Sequence, residues 1–135
     1  MKTYHDIALR DLASSKIMLD AGIYNNAVRF CQQYVEKLLK EKIHMSGTED
    51  GDQFLLHTHK LPKLAKRCEV LLKLKFTKDE VIFFNDLANY YFDTNYPGED
   101  YVEVDVDTAK EIYQQTLSFQ AKYEVIVVGS DNGST

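Results

Sequence analysis

The sequence predicts an all-α protein, an up-and-down four-helix bundle with a short additional helical segment. Two prolines and six glycines interrupt 135 residues, so long stretches carry no helix breaker. In those stretches, apolar residues recur at the three- and four-residue spacing of a buried helix face. No alternation of period two runs long enough to build a sheet. Apolar residues make up 44% of the chain, enough for one bundle to bury a core without disulfides or metals.

Two helices are predicted in the first third of the chain. The first covers about residues 4–20, because apolar positions repeat there at helical spacing. The second covers about residues 25–45, and either Asn25 or Asn26 is expected to cap it. Residues 46–53 are polar and contain two glycines, so a loop is expected to follow the second helix.

Two further helices are predicted in the middle of the chain. The third covers about residues 60–74, with Pro62 in its first turn, where a missing N–H is tolerated. The fourth starts at Thr77 and continues to about Phe92. Its start is marked by a capping box, in which Thr77 and Glu80 exchange hydrogen bonds with each other's backbone N–H.

The last helix is predicted over residues 105–123, after a loop over residues 93–104. The acidic run in this region favours a solvated loop in which Asp105 suits the helix N-terminus, rather than a cation site, because the pattern of a calcium loop is missing. The chain therefore divides into a bundle over residues 1–124 and a short apolar, then flexible, tail over residues 125–135.

Charge and composition exclude several classes of protein. The net charge of −5 does not support bulk binding of RNA, although a local basic patch stays open. No apolar run approaches the length of a membrane span, and the N-terminus does not resemble a secretory signal, so a cytoplasmic location is expected. Cys31 and Cys68 lie at apolar helical positions and are interpreted as small core residues.

Motif searches exclude the common phosphate-binding loops. Neither a P-loop nor a dinucleotide-binding glycine pattern is present. His57 and His59 are spaced by two, but two histidines make a weak metal site without a third ligand, so no metal is predicted. His59 is expected to cap or pack at the start of the third helix.

The densest group of polar residues is predicted on one face of the second helix. Its members at helical spacing are Arg29, Gln33, Glu36, Lys37 and Lys40. One interpretation is a solvated face braced by the Glu36–Lys40 pair. The other is a groove that offers amide and cationic donors to a phosphate or to a partner's carboxylates.

Tyrosines crowd the end of the fourth helix. Tyr90, Tyr91 and Tyr96 lie there, just before a Pro-Gly turn. One interpretation is a set of core aromatics followed by a helix stop. The other is an aromatic platform with polar tips that stacks a base or anchors a partner.

Three segments together resemble the HEPN domain family. The stretch 22–40 contains a glycine and an aromatic residue, then alanine, then Gln-Gln and Glu-Lys with a trailing lysine. Residues 59–64 resemble the His-x-Leu-x-x-Leu element that follows in the family, and residues 87–97 resemble its aromatic turn. The resemblance covers about residues 4–124. It implies an all-α bundle that commonly dimerises and a role in nucleotide- and RNA-related systems.

The chain departs from the ribonuclease members of that family at two places. Those members carry an arginine followed four to six residues later by a histidine, and Arg10, Arg29 and Arg67 have no histidine at that spacing. Asn95 stands where many relatives have arginine before Tyr-Pro. An RNA-cleaving site needs a titratable base or acid and a cation for the phosphate. The sequence thus favours a member without its own catalytic residues.

The resemblance and the polar face together predict a module that binds a nucleotide, a partner protein, or both. The partner would be a minimal nucleotidyltransferase, as in a toxin–antitoxin-type system, and the module itself is expected to be a homodimer. The predicted binding residues are Arg29, Gln33, Glu36, Lys37, Lys40, His59, Tyr91 and Tyr96.

Two alternatives stay open at this point. The first is a degenerate ribonuclease or toxin acting on RNA through Arg29, His59 and Tyr96. The second is a purely structural, dimerising helical module in which the same polar face and tyrosines are dimer contacts or plain surface.

Overall fold

The computed structural model describes residues 3–46, 53–95 and 102–125, and within these ranges the chain is all-α, as predicted. The five α-helices of these ranges are α1 (Tyr4–Asp20), α2 (Tyr24–Met45), α3 (Leu61–Leu72), α4 (Lys78–Asn95) and α5 (Val106–Tyr123). A short 3₁₀ helix, Gln53–His57, precedes α3. The same ranges contain no strand.

The first two helices form a hairpin. α1 begins at a capping box, in which Thr3 Oγ1 accepts from the N–H of Asp6 and Asp6 Oδ2 accepts from the N–H of Thr3, both at 3.1 Å. Gly22 then adopts a φ of +78°, which a glycine reaches without steric cost. Because this connection is short, α1 and α2 pack as antiparallel neighbours.

The central element of the bundle is α2. It contacts each of the other four α-helices and the 3₁₀ helix. Twelve of its 22 residues are buried. Four of these carry polar or charged side chains, namely Gln32, Glu36, Lys40 and Lys42. A helix covered on so many sides must satisfy its polar groups inside the protein.

Local signals define α3 and α4 as predicted. Pro62 lies in the first turn of α3, and Lys73 ends that helix in the left-handed region with a φ of 56°. At the start of α4, the N–H of Thr77 donates to Glu80 Oε1 at 2.8 Å. The N–H of Glu80 donates in return to Thr77 Oγ1 at 3.1 Å. The predicted capping box is therefore confirmed.

The last helix is capped by Asp105 and supplies aromatic rings to the core. Asp105 Oδ1 accepts from the N–H of Thr108 at 2.7 Å, and this hydrogen bond to the backbone lowers the pKa of the Asp105 carboxyl. Phe119 packs edge-on against both Tyr34 and Phe84, with centroid distances of 6.5 and 5.8 Å. Cys31 and Cys68 are free and buried in this core, as predicted.

The predicted asparagine cap of α2 is wrong. The helix starts one residue earlier than expected, with Ile23 at the N-cap and no side-chain hydrogen bond there. Asn25 instead lies in the first turn and contacts the segment before α5. Its Nδ2 donates to Val102 O at 2.9 Å, and its Oδ1 accepts from the N–H of Val104 at 2.7 Å.

Three predicted boundaries need correction. The loop predicted to end at residue 53 gives way to the 3₁₀ helix, which the sequence pattern did not reveal. The third helix is shorter than expected, because Lys73 ends it in the left-handed region. The fourth helix continues to Asn95, so the loop predicted over residues 93–104 starts later. The Pro-Gly turn and the apolar part of the tail after Val125 lie outside the described residues.

Candidate functional site

A column of polar side chains lies buried along α2. Gln32, Glu36 and Lys40 follow one another at four-residue spacing, and none is more than 4% exposed. Gln32 Nε2 donates to Glu36 Oε1 at 3.0 Å, and Lys40 Nζ donates to Glu36 Oε2 at 2.9 Å. The Glu36 carboxylate therefore forms a buried ion pair with Lys40, one turn after it, and accepts a hydrogen bond from Gln32, one turn before it.

The column continues toward the surface through Gln33 and Lys37. Gln33 Nε2 donates to Gln32 Oε1 at 2.7 Å, and Lys37 Nζ donates to Gln33 Oε1 at 2.8 Å. Lys37 Nζ also lies 3.8 Å from Glu36 Oε2, and its side chain is 18% exposed. This amide and this ammonium thus connect the buried carboxylate with solvent.

His59 joins the column from the segment before α3. Its Nδ1 lies 3.0 Å from Glu36 Oε1 and 3.2 Å from Glu36 Oε2. The histidine side chain is half exposed, and its ring stacks on Tyr91 of α4 with a centroid distance of 5.4 Å and an interplanar angle of 25°. Of the two expectations for His59, capping of the third helix is wrong, because the N-cap of that helix is Lys60 and has no side-chain hydrogen bond. His59 instead packs just before the helix, and its partners lie on α2 and α4.

Burial and hydrogen bonding act in opposite directions on the charge of Glu36. Burial raises the pKa of this carboxyl, but the hydrogen bond and charge of Lys40 and the hydrogen bonds of Gln32 and His59 outweigh burial and lower the pKa. Glu36 is therefore ionised at neutral pH. Because an ionised carboxylate only accepts hydrogen bonds, Nδ1 of His59 carries the hydrogen.

A surface groove of about 340 Å³ lies next to the column, between α1, α2 and α4. Arg29 and Gln33 line it from α2, and Tyr91 lines it from α4. Arg29 donates from its guanidinium to the side-chain oxygen of Asn26. The remaining lining residues are Met18, Asn26 and Phe30. The groove therefore combines one guanidinium, two amides, two aromatic rings and one methionine side chain.

The column supports the groove from two sides. Glu36 reaches Gln33 through Gln32, and it reaches Tyr91 through His59. Groups that are held by buried partners lose little conformational freedom when a ligand binds. The side chains of Gln33 and Tyr91 are consequently held in position at the groove by partners within the protein. Within the described ranges, no three His, Cys, Asp or Glu side chains lie close enough together to hold a metal ion.

Seven of the eight predicted site residues fall in one neighbourhood. Arg29, Gln33 and Tyr91 line the groove. Glu36, Lys37, Lys40 and His59 form the supporting column. Tyr96 lies outside the described residues. The interpretation of this helix face as fully solvated is wrong for Glu36 and Lys40, because α3, α4 and the segment holding His59 pack against α2.

Sequence reasoning did not find several residues of this neighbourhood. Gln32 is not among the predicted binding residues, although its spacing of four from Glu36 indicates a helical pair. Asp11 of α1 is half-buried, and burial raises its pKa while the charges of Lys37 and Arg10 lower it. No pattern in the sequence indicates that Met18 and Asp11 approach α2, since that depends on the packing of α1.

Comparisons with known proteins agree with the architecture of the bundle. The family model for the HEPN domain matches residues 1–124 of the 135-residue chain. Neither a curated protein nor a solved structure matches the chain. In the part of the chain that the structure describes, every helix is too short or too polar to cross a membrane. The match spans all five α-helices and the Glu36–His59 column, and the chain therefore belongs to the HEPN domain family.

Proposed function

We propose that this HEPN domain is a nucleotide-binding module and that the groove lined by Arg29, Gln33 and Tyr91 is its binding site. The observation that carries the proposal is that a guanidinium from α2 and a tyrosine ring from α4 line the same groove. A guanidinium binds phosphate oxygens with two parallel hydrogen bonds. A tyrosine ring stacks on a nucleobase.

The surroundings of Tyr91 favour stacking over simple core packing. Tyr91 is only partly buried, so part of its ring is accessible from the groove. The His59 ring supports it from another side, and the buried Glu36 carboxylate fixes that histidine. A ring held in this way presents a preformed surface, which lowers the entropic cost of stacking a base.

The module is proposed to act without its own catalytic residues. The sequence lacks an arginine followed four to six residues later by a histidine. Lys40, which was predicted as a donor to the ligand, is 4% exposed and donates to Glu36. We assign it to the support of the groove.

The proposal is tested with a thermal-shift panel of ATP, ADP, GTP, NAD and cyclic nucleotides at about 1 mM, with and without Mg²⁺. A ligand with a Kd near 10 µM adds about 2.7 kcal/mol to the free energy of unfolding and raises the Tm by a few degrees. We expect Arg29→Gln and Tyr91→Ala to remove the shift, whereas Tyr91→Phe keeps it.

Matched control variants separate the groove from the rest of the surface. Arg10→Gln removes an exposed arginine of α1, and Tyr113→Ala removes a partly buried tyrosine of α5; neither side chain lines the groove. Both controls should keep the ligand-dependent shift. A flat panel, or a shift that survives Arg29→Gln and Tyr91→Ala, would contradict the proposal.

A degenerate ribonuclease is the second candidate, and one contact favours it. An imidazole whose Nδ1 donates to a buried carboxylate is oriented as a general base, and His59 has this geometry with Glu36. Cleavage of single-stranded RNA that His59→Ala abolishes would support this function. If micromolar protein produces no cleavage, the candidate is rejected.

A homodimer and a minimal nucleotidyltransferase partner complete the proposal. Apolar side chains stay exposed on α1 and after it, including Ile17 at 63% and Ile23 at 46%. In symmetric dimers, exposed apolar side chains such as these are commonly covered by the partner subunit. Light scattering at about 50 µM tests the dimer, and a monomer at that concentration would count against it. Affinity capture with a purified nucleotidyltransferase tests the partner.

A further inference from the structure

The cations of this acidic protein are concentrated in one short segment. Between residues 60 and 78 there are seven basic residues and a single acidic one, Glu69, although the net charge of the chain is −5. The basic residues are Lys60, Lys63, Lys66, Arg67, Lys73, Lys75 and Lys78. The Glu69 carboxylate already accepts a hydrogen bond within the protein, because the N–H of Phe76 donates to its Oε2 at 2.8 Å. The segment therefore forms a local positive surface.

Three of its residues share one side of α3, and a fourth follows at the end of the helix. Lys63, Lys66 and Val70 are spaced by three and four, which brings them onto one face, and Lys73 is the C-cap three residues after Val70. All four are exposed, Val70 at 63%. The apolar residues Leu61, Leu64, Ala65 and Cys68 occupy the opposite, buried side. We call the exposed side, Lys63, Lys66, Val70 and Lys73, the lysine face.

The lysines of this face form no ion pair with a described residue; exposed Lys110 shares this property, so the face is distinguished by the grouping of its unpaired charges. Elsewhere, Lys16, Lys37, Lys40, Lys42 and Lys122 each lie within 4 Å of a carboxylate. Among the described residues, no carboxylate forms an ion pair with Lys63, Lys66 or Lys73. The positive charge of this face is therefore available to an external anion.

The stability of α3 does not account for these charges. Cations near a helix N-terminus oppose the helix dipole, and Lys63 lies in the first turn of α3, which contains no acidic residue. Like charges three residues apart, as in Lys63 and Lys66, also repel each other. An arrangement that costs the helix stability is consistent with a surface used for binding.

We propose that the lysine face binds the phosphate backbone of a nucleic-acid strand, at a site separate from the groove. Three exposed lysines spread from Lys63 to Lys73, nearly three turns or about 15 Å along the helix, suit a chain of regularly spaced charges. The proposal does not depend on the nucleotide-binding function of the groove. RNA and DNA share the phosphate chemistry, and the experiment distinguishes them.

Two other polyanions fit the face less well. A membrane surface would require large apolar side chains to insert, and Val70 is the single apolar residue among the four. A protein partner would normally use aromatic or arginine anchors, and lysine is depleted from the centres of protein interfaces. A phosphate backbone requires only exposed cations, which is what this face presents.

The test is fluorescence anisotropy with labelled 12-nucleotide single strands of RNA and DNA, titrated with the full chain between 50 and 200 mM salt. The triple variant Lys63→Gln, Lys66→Gln, Lys73→Gln is compared with wild type. Each phosphate contact contributes about 0.7 to the slope of log K against log salt for single strands. We expect the slope of the triple variant to be smaller by about 2 in magnitude.

A control variant of the same net charge separates a specific face from general electrostatics. Lys16→Gln, Lys110→Gln, Lys122→Gln removes three exposed lysines from α1 and α5. This control should keep the wild-type slope. Equal slopes for the two triple variants, or no binding of either strand at 50 mM salt, would overturn the proposal.

Competition assigns the ligand. A polyglutamate peptide of the same charge should displace the strand at least tenfold less effectively than unlabelled oligonucleotide does. Equal displacement would overturn the assignment to nucleic acid, as would binding to phosphatidylserine vesicles without binding to either strand.

Binding of RNA alone would indicate a contact to the 2′-hydroxyl, whereas equal binding of both strands would indicate contacts to phosphate alone. The groove variant Tyr91→Ala should keep the wild-type slope, so the two proposals can fail separately.

Discussion

The column on α2 and the lysine face on α3 use the same side chain in opposite ways. Lys40 is buried, and its Nζ lies 2.9 Å from a carboxylate oxygen of Glu36. Lys63 and Lys66 are exposed and have no carboxylate partner among the described residues. Position in the bundle explains the difference, because α2 is covered by every other helix whereas α3 has one free side.

This difference teaches that paired and unpaired charges serve separate purposes in the molecule. A buried ion pair costs desolvation energy, and it is stable only when its members keep their partners. It is therefore suited to fixing the positions of neighbouring groups such as Gln33 and His59. Exposed unpaired lysines contribute little to the fold but attract anions from solution.

The largest expected effect comes from breaking the buried pair. Glu36→Ala leaves Lys40 buried without a counter-ion, so we expect the free energy of unfolding to fall by about 3–5 kcal/mol. Chemical denaturation measures this loss. Asp20→Ala removes the exposed pair with Lys16 and should cost far less. If the two variants lose similar stability, the Glu36–Lys40 pair is not buried in solution.

The second-largest expected effect is on how the free energy of unfolding depends on pH, and it concerns the buried pair alone. The pKa of Glu36 is lower in the folded protein than its ordinary value of 4.5. Its carboxylate therefore contributes stability above that pH, and the contribution is lost as the pH falls through the folded pKa. We expect the difference in unfolding free energy between wild type and Glu36→Gln to narrow below pH 4.5. A difference independent of pH would contradict the lowered pKa.

The smallest expected effect comes from the lysine face. Lys63→Glu places an acidic side chain in the first turn of α3 and removes the repulsion from Lys66, so stability should rise by about 0.3–1 kcal/mol. The Tm measures the gain. Lys110→Glu, an exposed substitution of the same charge on α5, is the control and should not give the same gain. A loss of stability in Lys63→Glu would show that the lysine has a partner in solution.

Local patterns were sufficient to predict most of the fold. The capping box of Thr77 and Glu80 and the position of Pro62 depend on neighbours within one turn, and both were predicted correctly. Asn25 could not be predicted, because its partners Val102 and Val104 lie more than 70 residues away in the sequence. The 3₁₀ helix was missed since five residues are too few to show a period.

Most residues of the candidate site could be predicted from the sequence, but their burial could not. Helical spacing correctly placed Arg29, Gln33 and Glu36 on neighbouring parts of one helix. Periodicity does not indicate which side of a central helix its neighbours cover, so the burial of Glu36 was not foreseen. The contact of Glu36 with His59, 23 residues later in the chain, also depends on tertiary packing.

The central position of α2 has a consequence for how this domain can change during evolution. A substitution on α2 alters contacts with several helices at once, so few of its twelve buried positions can change without a compensating change elsewhere. Lys63 and Lys66 are exposed on the outer side of α3, and substitutions there are nearly neutral for folding. New binding preferences can thus arise on α3 while the architecture organised around α2 stays the same.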